Sequence, residues 1–348
     1  MKNKKILQIH SWLGLISGLF ILIMGVTGSI LVFHKEIDYQ IEKEYLFVNI
    51  NDEINIDKAI ITVQNKYKNW DTRITSFNAK NEAIVFDLRK DNNTKRKKLF
   101  IHPTNGKIIK DIDANTHFTR WLLKLHYSLH LETVGKIIIL IIGFLFFLSL
   151  ITGLILYRKS IVKVLSFKVK LKRKNRRSFF SSIHRIVGVW SLLLNFLLVI
   201  TGILMSYSVT VNAFKKPKEI SHSIINISIN QTLKNIKENH PTFYPEYIKL
   251  PTQENLPITI YGNFNDDFFL WSKYYNRIKI DNKKGGEITI IKNRDSSISN
   301  KFNSMIHNLH FGNYGGILVK ILYSFIGISA PALSITGFCI WYYRKKPK

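Results

Sequence analysis

The chain has 348 residues, 46% hydrophobic and 13% aromatic, and its 51 Lys and Arg against 23 Asp and Glu give a formal net charge of +28. In a soluble protein that charge would suggest nucleic acid, but here much of it gathers at the ends of long apolar stretches, which argues against a nucleic-acid partner and for a lipid surface. The single cysteine, Cys339, excludes an intrachain disulfide and a thiolate metal cluster, so any metal must be held by histidine or oxygen.

Met1 to Lys5 is basic, and the uncharged apolar stretch Trp12 to Phe33 follows it. It outruns the core of a secretory signal, about 7 to 15 residues. It continues into His34 and Lys35 without a small-residue cleavage site, so it reads as a retained helix. Three more uncharged stretches, Ile137 to Tyr157, Ile186 to Tyr207 and Ile321 to Tyr343, are long enough for a hydrocarbon layer of roughly 30 Å, which needs about 20 apolar residues. Basic residues without Asp or Glu precede the first stretch, fill the connection from Arg158 to Arg177 and end the chain at Arg344 to Lys348. The positive-inside rule places these three segments in the cytoplasm, and four crossings make that consistent.

The predicted organisation is a first membrane helix over 1–34 with its inner end at the N-terminus, an outer domain over 35–120, a second helix over 121–158, a basic cytoplasmic loop over 159–183, a third helix over 184–207, a second outer domain over 208–305, and a fourth helix with a basic tail over 306–348. The first outer segment predicts a helix capped by Asp57 and running through Tyr67. Strands follow at Ala83 to Leu88 and Leu99 to Ile101, then a turn at Pro103 to Gly106 and a strand at Lys107 to Ile109. The second repeats the order, with a helix at Leu233 to Asn239, strands at Ile258 to Tyr261, Phe268 to Trp271 and Arg277 to Ile280, a turn at Gly285-Gly286, and Glu287 to Ile291.

The helices repeat as well. Ile9-His10, Gly14 and Thr27-Gly28 in the first recur at the same spacing as Ile183-His184, Gly188 and Thr201-Gly202 in the third. The second and fourth share Leu129-His130 or Leu309-His310 at the start, Thr152-Gly153 or Thr336-Gly337 near the end, and the exits Tyr157-Arg158-Lys159 or Tyr343-Arg344-Lys345. A tandem duplication whose halves both start inside predicts an axis along the membrane normal, with helices one and three facing each other across it, and likewise two and four.

Seven of the eleven histidines lie at the ends of these helices: His10 and His184 at inner ends, and His34, His126, His130, His307 and His310 at outer ends. The spacings of His126 with His130 and of His307 with His310 put each pair on one helical face. Ionisable residues in a membrane usually face the bundle interior and are functional candidates. Haem iron takes two axial imidazoles on opposite faces. The Thr-Gly pairs of helices one and three lie roughly 26 Å beyond their own histidines, in the outer layer, and those of helices two and four in the inner layer. Each layer thus has histidines mainly from one pair of helices and, from the other, the small residues that a flat macrocycle needs, as stacked haems would require. Glycines are also close-packing residues between membrane helices. Zinc or copper fits less well, for want of carboxylate or thiolate at metal spacing. A transporter is a further alternative, since Pro331 interrupts the fourth helix and broken helices mark transport sites. No dinucleotide fingerprint is present, and the outer segments show no catalytic constellation.

The motifs Ile9-His10-Ser11-Trp12-Leu13-Gly14 with Thr27-Gly28-Ser29, His184-Arg185 with Gly188 and Thr201-Gly202, and Leu309-His310-Phe311-Gly312 with Gly315-Gly316 and Thr336-Gly337 resemble the PepSY-associated transmembrane family, often labelled iron-regulated membrane proteins. The resemblance implies a mainly α integral membrane protein of the bacterial inner membrane, with both termini cytoplasmic: a four-helix bundle with two small α+β PepSY-like periplasmic domains. It implies a haem b-containing reductase, with two haems, passing electrons outward to ferric siderophores or other iron complexes delivered by a periplasmic or outer-membrane uptake partner. By position, His10 and His184 match the family's inner histidines, and His126, in Leu125-His126-Tyr127-Ser128-Leu129, and His310 match its outer ones. His130 falls where the family more often has an aliphatic residue, and His34 has Ser208 as its counterpart; either is a substitute ligand or a supporting group. The alternative reading is non-enzymatic, a membrane-anchored PepSY module that binds a protein or peptide outside.

Overall fold

A computed structural model describes residues 2–50, 53–77, 79, 81–217, 219–221, 225–282 and 286–345. Gly285 of the expected turn and Lys346 and Lys348 of the basic tail lie outside the described residues. In chain order the helices are α1 (Lys2–Leu31), α2 (His34–Leu46), α3 (Ile56–Lys66), α4 (Phe118–Ser128), α5 (Glu132–Tyr157), α6 (Ile161–Leu165), α7 (Arg176–Ala213), α8 (Ile229–Asn239), α9 (Ile298–Phe311) and α10 (Gly316–Lys345). The strands are β1 (Asp71–Ser76), β2 (Ile84–Lys90), β3 (Lys95–Ile101), β4 (Ile108–Asp113), β5 (Phe243–Lys249), β6 (Ile258–Phe264), β7 (Arg277–Ile280) and β8 (Ile288–Ile291). The chain divides into two compact units, one of Met1–His34, Leu122–Phe214 and Ile306–Lys348, the other of Lys35–Trp121 and Lys215–Met305.

In the first unit, α1, α5, α7 and α10 are the helices, among the described residues, long and apolar enough to cross a membrane. α1 packs on α5 and α10, and α7 packs on the same two, so α1 and α7 lie on one diagonal of the bundle and α5 and α10 on the other. Trp12, Leu19, Leu193 and Phe325 stand at least 65% exposed on the outside of this bundle. So much outward-facing apolar surface suits a hydrocarbon solvent and not water. α1 and α10 approach closely at Gly25. A β-carbon there would stand 2.3 Å from Pro331 Cδ and 2.6 Å from the Gly327 carbonyl oxygen, the acceptor that Pro331 leaves without its helical donor. Beside this contact the Ser29 hydroxyl lies 3.0 Å from the Ser324 carbonyl.

Two expectations about these helices are corrected. The helices expected over 121–158 and 306–348 are each broken. Leu129, His130 and Glu132 have positive φ between α4 and α5, and Gly312 and Gly316 do the same between α9 and α10. At the first break, a β-carbon on Gly135 would stand 1.7 Å from the Ser128 carbonyl oxygen, so the turn admits only glycine there. The third helix, expected over 184–207, begins at Arg176 and ends at Ala213, because the polar turns at both ends satisfy helical hydrogen bonds beyond the apolar stretch.

In the second unit the described strands form one antiparallel sheet of eight, ordered β4-β3-β2-β1-β5-β6-β7-β8. The two outer segments therefore share a single sheet, joined where Arg73 and Ile74 of β1 pair with Lys249 and Ile248 of β5, instead of standing as two separate domains. Ile74, Phe86, Leu88, Ile248, Ile260 and Ile278 point to one face, where Ile60 and Val63 of α3 and Ile236 of α8 complete a common core. Asn55, not Asp57, caps α3. Asp57 instead caps α8: its carboxylate accepts from the Ile229 amide at 2.7 Å and from the Ser228 hydroxyl at 2.6 Å. In return, the Ile56 amide at the start of α3 donates to Asn230 at 3.1 Å. Phe268 to Trp271, expected as a strand, forms turns, with Phe269 exposed.

Candidate functional site

Each histidine layer can be built from its helices. His10 and His184 each lie eight residues after the first residue of α1 and α7, so both are inside their helices and not at the ends. The diagonal placement of α1 and α7 turns them toward each other, with ring centroids 6.1 Å apart and planes at 80°. The second layer is formed by His126 of α4 and His310 of α9, with centroids 6.4 Å apart and planes at 55°. His126 faces His310, the two residues matched by position to the family's outer histidines, while the repeat equivalence of Leu129-His130 with Leu309-His310 is corrected. The signal was in the sequence: His126 precedes Thr152, and His310 precedes Thr336, by the same 26 residues.

A threonine meets every one of these four rings. His10 Nδ1 lies 3.1 Å from Thr152 Oγ1, His184 Nδ1 2.9 Å from Thr336, His126 Nδ1 2.9 Å from Thr27, and His310 Nδ1 3.0 Å from Thr201. Each threonine hydroxyl donates its proton to a carbonyl one turn back, Leu148, Ala332, Ile23 and Leu197 respectively. With that proton committed, the threonine oxygen accepts, so Nδ1 carries the imidazole hydrogen. His10 Nδ1 is also 3.1 Å from the Ser149 carbonyl, which can only accept. The network therefore fixes the tautomer and leaves the Nε2 lone pair of each ring available to a ligand.

The glycine after each threonine makes room for the ring. A β-carbon on Gly28 would stand 3.0 Å from His126 Cε1, on Gly202 3.2 Å from His310, on Gly153 3.3 Å from His10 and on Gly337 3.5 Å from His184. The glycines of these pairs thus admit the imidazoles themselves against a neighbouring helix backbone. Sequence reasoning assigned the glycines to a flat macrocycle and gave the threonines no role.

The sequence model of the PepSY-associated TM region matches residues 7–344. The chain belongs to this family. No curated relative matches it.

The group implied by resemblance to the PepSY-associated family can be tested against these residues. Haem iron accepts two imidazole nitrogens, and each facing pair, with centroids 6.1 and 6.4 Å apart, would offer it two Nε2 lone pairs. Among the described residues no group of three or more His, Cys, Asp or Glu is placed to hold a metal ion. The donor set fits haem.

His34 Nδ1 is 2.9 Å from the Leu31 carbonyl and shapes the turn after α1, while its ring meets Phe311 edge-on at 6.3 Å. His307 stacks on Phe311 at 4.5 Å. His130, expected on the same helical face as His126, lies in the positive-φ break beyond α4, where helical spacing no longer applies.

Proposed function

We propose that this multi-pass membrane protein holds two haem b groups and acts as a reductase, moving electrons from a cytoplasmic or membrane donor to ferric siderophores or other ferric complexes outside. The observation that carries the reading is the pair of facing histidines in each layer, at 6.1 and 6.4 Å, each ring held by a threonine as its Nδ1–H tautomer. His10 and His184 would hold one haem, His126 and His310 the other. Bound haem would supply one-electron carriers at two depths in the membrane. The protein's own part is to hold the rings, fix their tautomers and exclude water with the surrounding apolar side chains.

The basic, carboxylate-free ends of the membrane segments support a bacterial inner-membrane location with both termini in the cytoplasm, which would put the sheet unit in the periplasm beside an iron-uptake partner. The matched His, Thr and Gly contacts in each half support an origin by tandem duplication.

The test is a dithionite-reduced minus oxidised visible spectrum of the detergent-purified protein, with haem quantified per chain. Close to two low-spin haems are expected, falling by one in His10→Ala while the protein stays in the membrane. A colourless protein from haem-replete cells, or unchanged haem content in His10→Ala, would overturn the reading.

A further inference from the structure

The sheet unit has a second face. Strand alternation that sends Ile74, Phe86, Leu88, Ile248 and Ile260 into the core sends Arg73, Asp87, Arg89, Tyr247, Lys249 and Tyr261 the other way. Arg73, Arg89, Tyr247, Lys249 and Tyr261 line a cavity of about 380 Å³ with Tyr274, within the size range of small-molecule sites. The lining contains three cations and no carboxylate.

Two carboxylates nearby hold the arginines. Asp71 pairs with Arg73 at 2.6 Å, and the single carboxylate of Asp87 is shared by Arg89 at 2.6 Å and Arg96 at 2.7 Å. Burial lowers the Arg89 pKa, and the charges of Arg96 and Arg73 add to that against the pull of Asp87. An anion entering the cavity would relieve this repulsion. Beside the cations on the same sheet face is an aromatic wall: Tyr247 and Tyr261 are 5.5 Å apart by ring centroids, Tyr247 and Tyr274 5.7 Å, and Tyr261 and Tyr274 6.2 Å. Arg73 Nη1 donates to Tyr247 Oη at 2.9 Å, which ties the wall to the cationic floor.

We infer that this cavity is a binding site for a small organic dianion or trianion with an aromatic ring, its charges held by Arg73, Arg89 and Lys249 and its ring against Tyr247, Tyr261 and Tyr274. The Nε and Nη2 edges of Arg73 and Arg89 hold Asp71 and Asp87, so a ligand's carboxylates would meet the remaining Nη hydrogens of the guanidinium groups and its flat face the neighbouring tyrosines. The site joins the two outer segments, since Arg73 and Arg89 come from the first and the tyrosines and Lys249 from the second. Neither segment alone would build it. The inference does not depend on haem.

The test is isothermal titration of the full-length protein in detergent with phthalate. Two controls accompany it: cis-cyclohexane-1,2-dicarboxylate has the charge without the ring, and benzylammonium has the ring with the opposite charge. Phthalate is expected to bind, the cyclohexane dianion more weakly, and benzylammonium not at all. Lys249→Gln removes one charge-assisted contact and is expected to weaken phthalate by about 10-fold. Tyr274→Ala, at a partly exposed position, should abolish the preference for the aromatic dianion while the circular dichroism spectrum stays native. No heat from phthalate up to millimolar concentrations, or equal binding by wild type and both variants, would overturn the site. Equal affinity for the two dianions would overturn the aromatic part of it.

Discussion

In the membrane unit, each half of the chain is held internally by His–Thr pairs, and the halves meet where α1 packs on α10 and α5 on α7. His10 reaches Thr152 and His126 reaches Thr27 within the first half, and His184 reaches Thr336 and His310 reaches Thr201 within the second. The halves then present paired rings about 6 Å apart. In the sheet unit the halves fuse directly, through the β1–β5 ladder, one hydrophobic core and the reciprocal bonds between the starts of α3 and α8. The difference follows from the solvent. Lipid gives helices no hydrophobic reason to associate, so contact concentrates at small residues such as Gly25 and Gly327 and at polar pairs. In water, burial of Ile74, Ile248 and their neighbours drives the halves together.

The strongest test of this contrast is Gly25→Leu. The added side chain meets Pro331 and the Gly327 carbonyl at a close α1–α10 contact, where there is no flexible neighbour to give way. A loss of about 3 kcal/mol or more is expected, read as loss of monodisperse protein after detergent extraction. Normal yield would show that the bundle tolerates what its geometry forbids.

A smaller effect is expected from Asp57→Ala. It removes the acceptor for the Ile229 amide and should cost about 1 kcal/mol, seen as faster hydrogen exchange at the start of α8 while α3 keeps its Asn55 cap. Equal acceleration in both helices would mean that the two caps act as one unit.

The mildest perturbation is acid. Burial raises the Asp87 pKa, but hydrogen bonds and charge from Arg96 and Arg89 outweigh it and hold the group below its ordinary 3.8; Asp38 and Asp111 shift the same way. A lowered folded-state value stabilises above the unfolded one, so this contribution is present at neutral pH and is lost as pH falls below about 3.8. Melting of the sheet unit should drop in that range in wild type and change less with pH in Asp87→Asn. An equal drop in the variant would place the acid sensitivity elsewhere.

Much of the membrane unit was legible in the sequence because lipid imposes a simple rule. An uncharged run of about 20 residues must be helical to satisfy its own backbone, and the repeated His, Thr and Gly spacings could be read directly. The breaks were hidden because Leu129, His130 and Glu132 are not turn formers; only Gly135, pressed against the Ser128 carbonyl, betrays the bend. In the sheet unit the strongly apolar strands were found, but β1 and β5 were missed. Asp71-Thr72-Arg73-Ile74-Thr75-Ser76 is largely polar, and Phe243-Tyr244-Pro245-Glu246 contains a proline. Those are the two strands that join the halves.

The sequence by itself determined the four membrane helices, the family and the histidines worth watching, since length, charge and spacing are local properties of the chain. Only the tertiary structure decided that threonines fix the ring tautomers, and that two outer segments make one sheet with a cationic, tyrosine-lined cavity. Those outcomes depend on which residues distant in the chain come within about 3 Å of one another, and hydrogen-bond geometry exists only at that range.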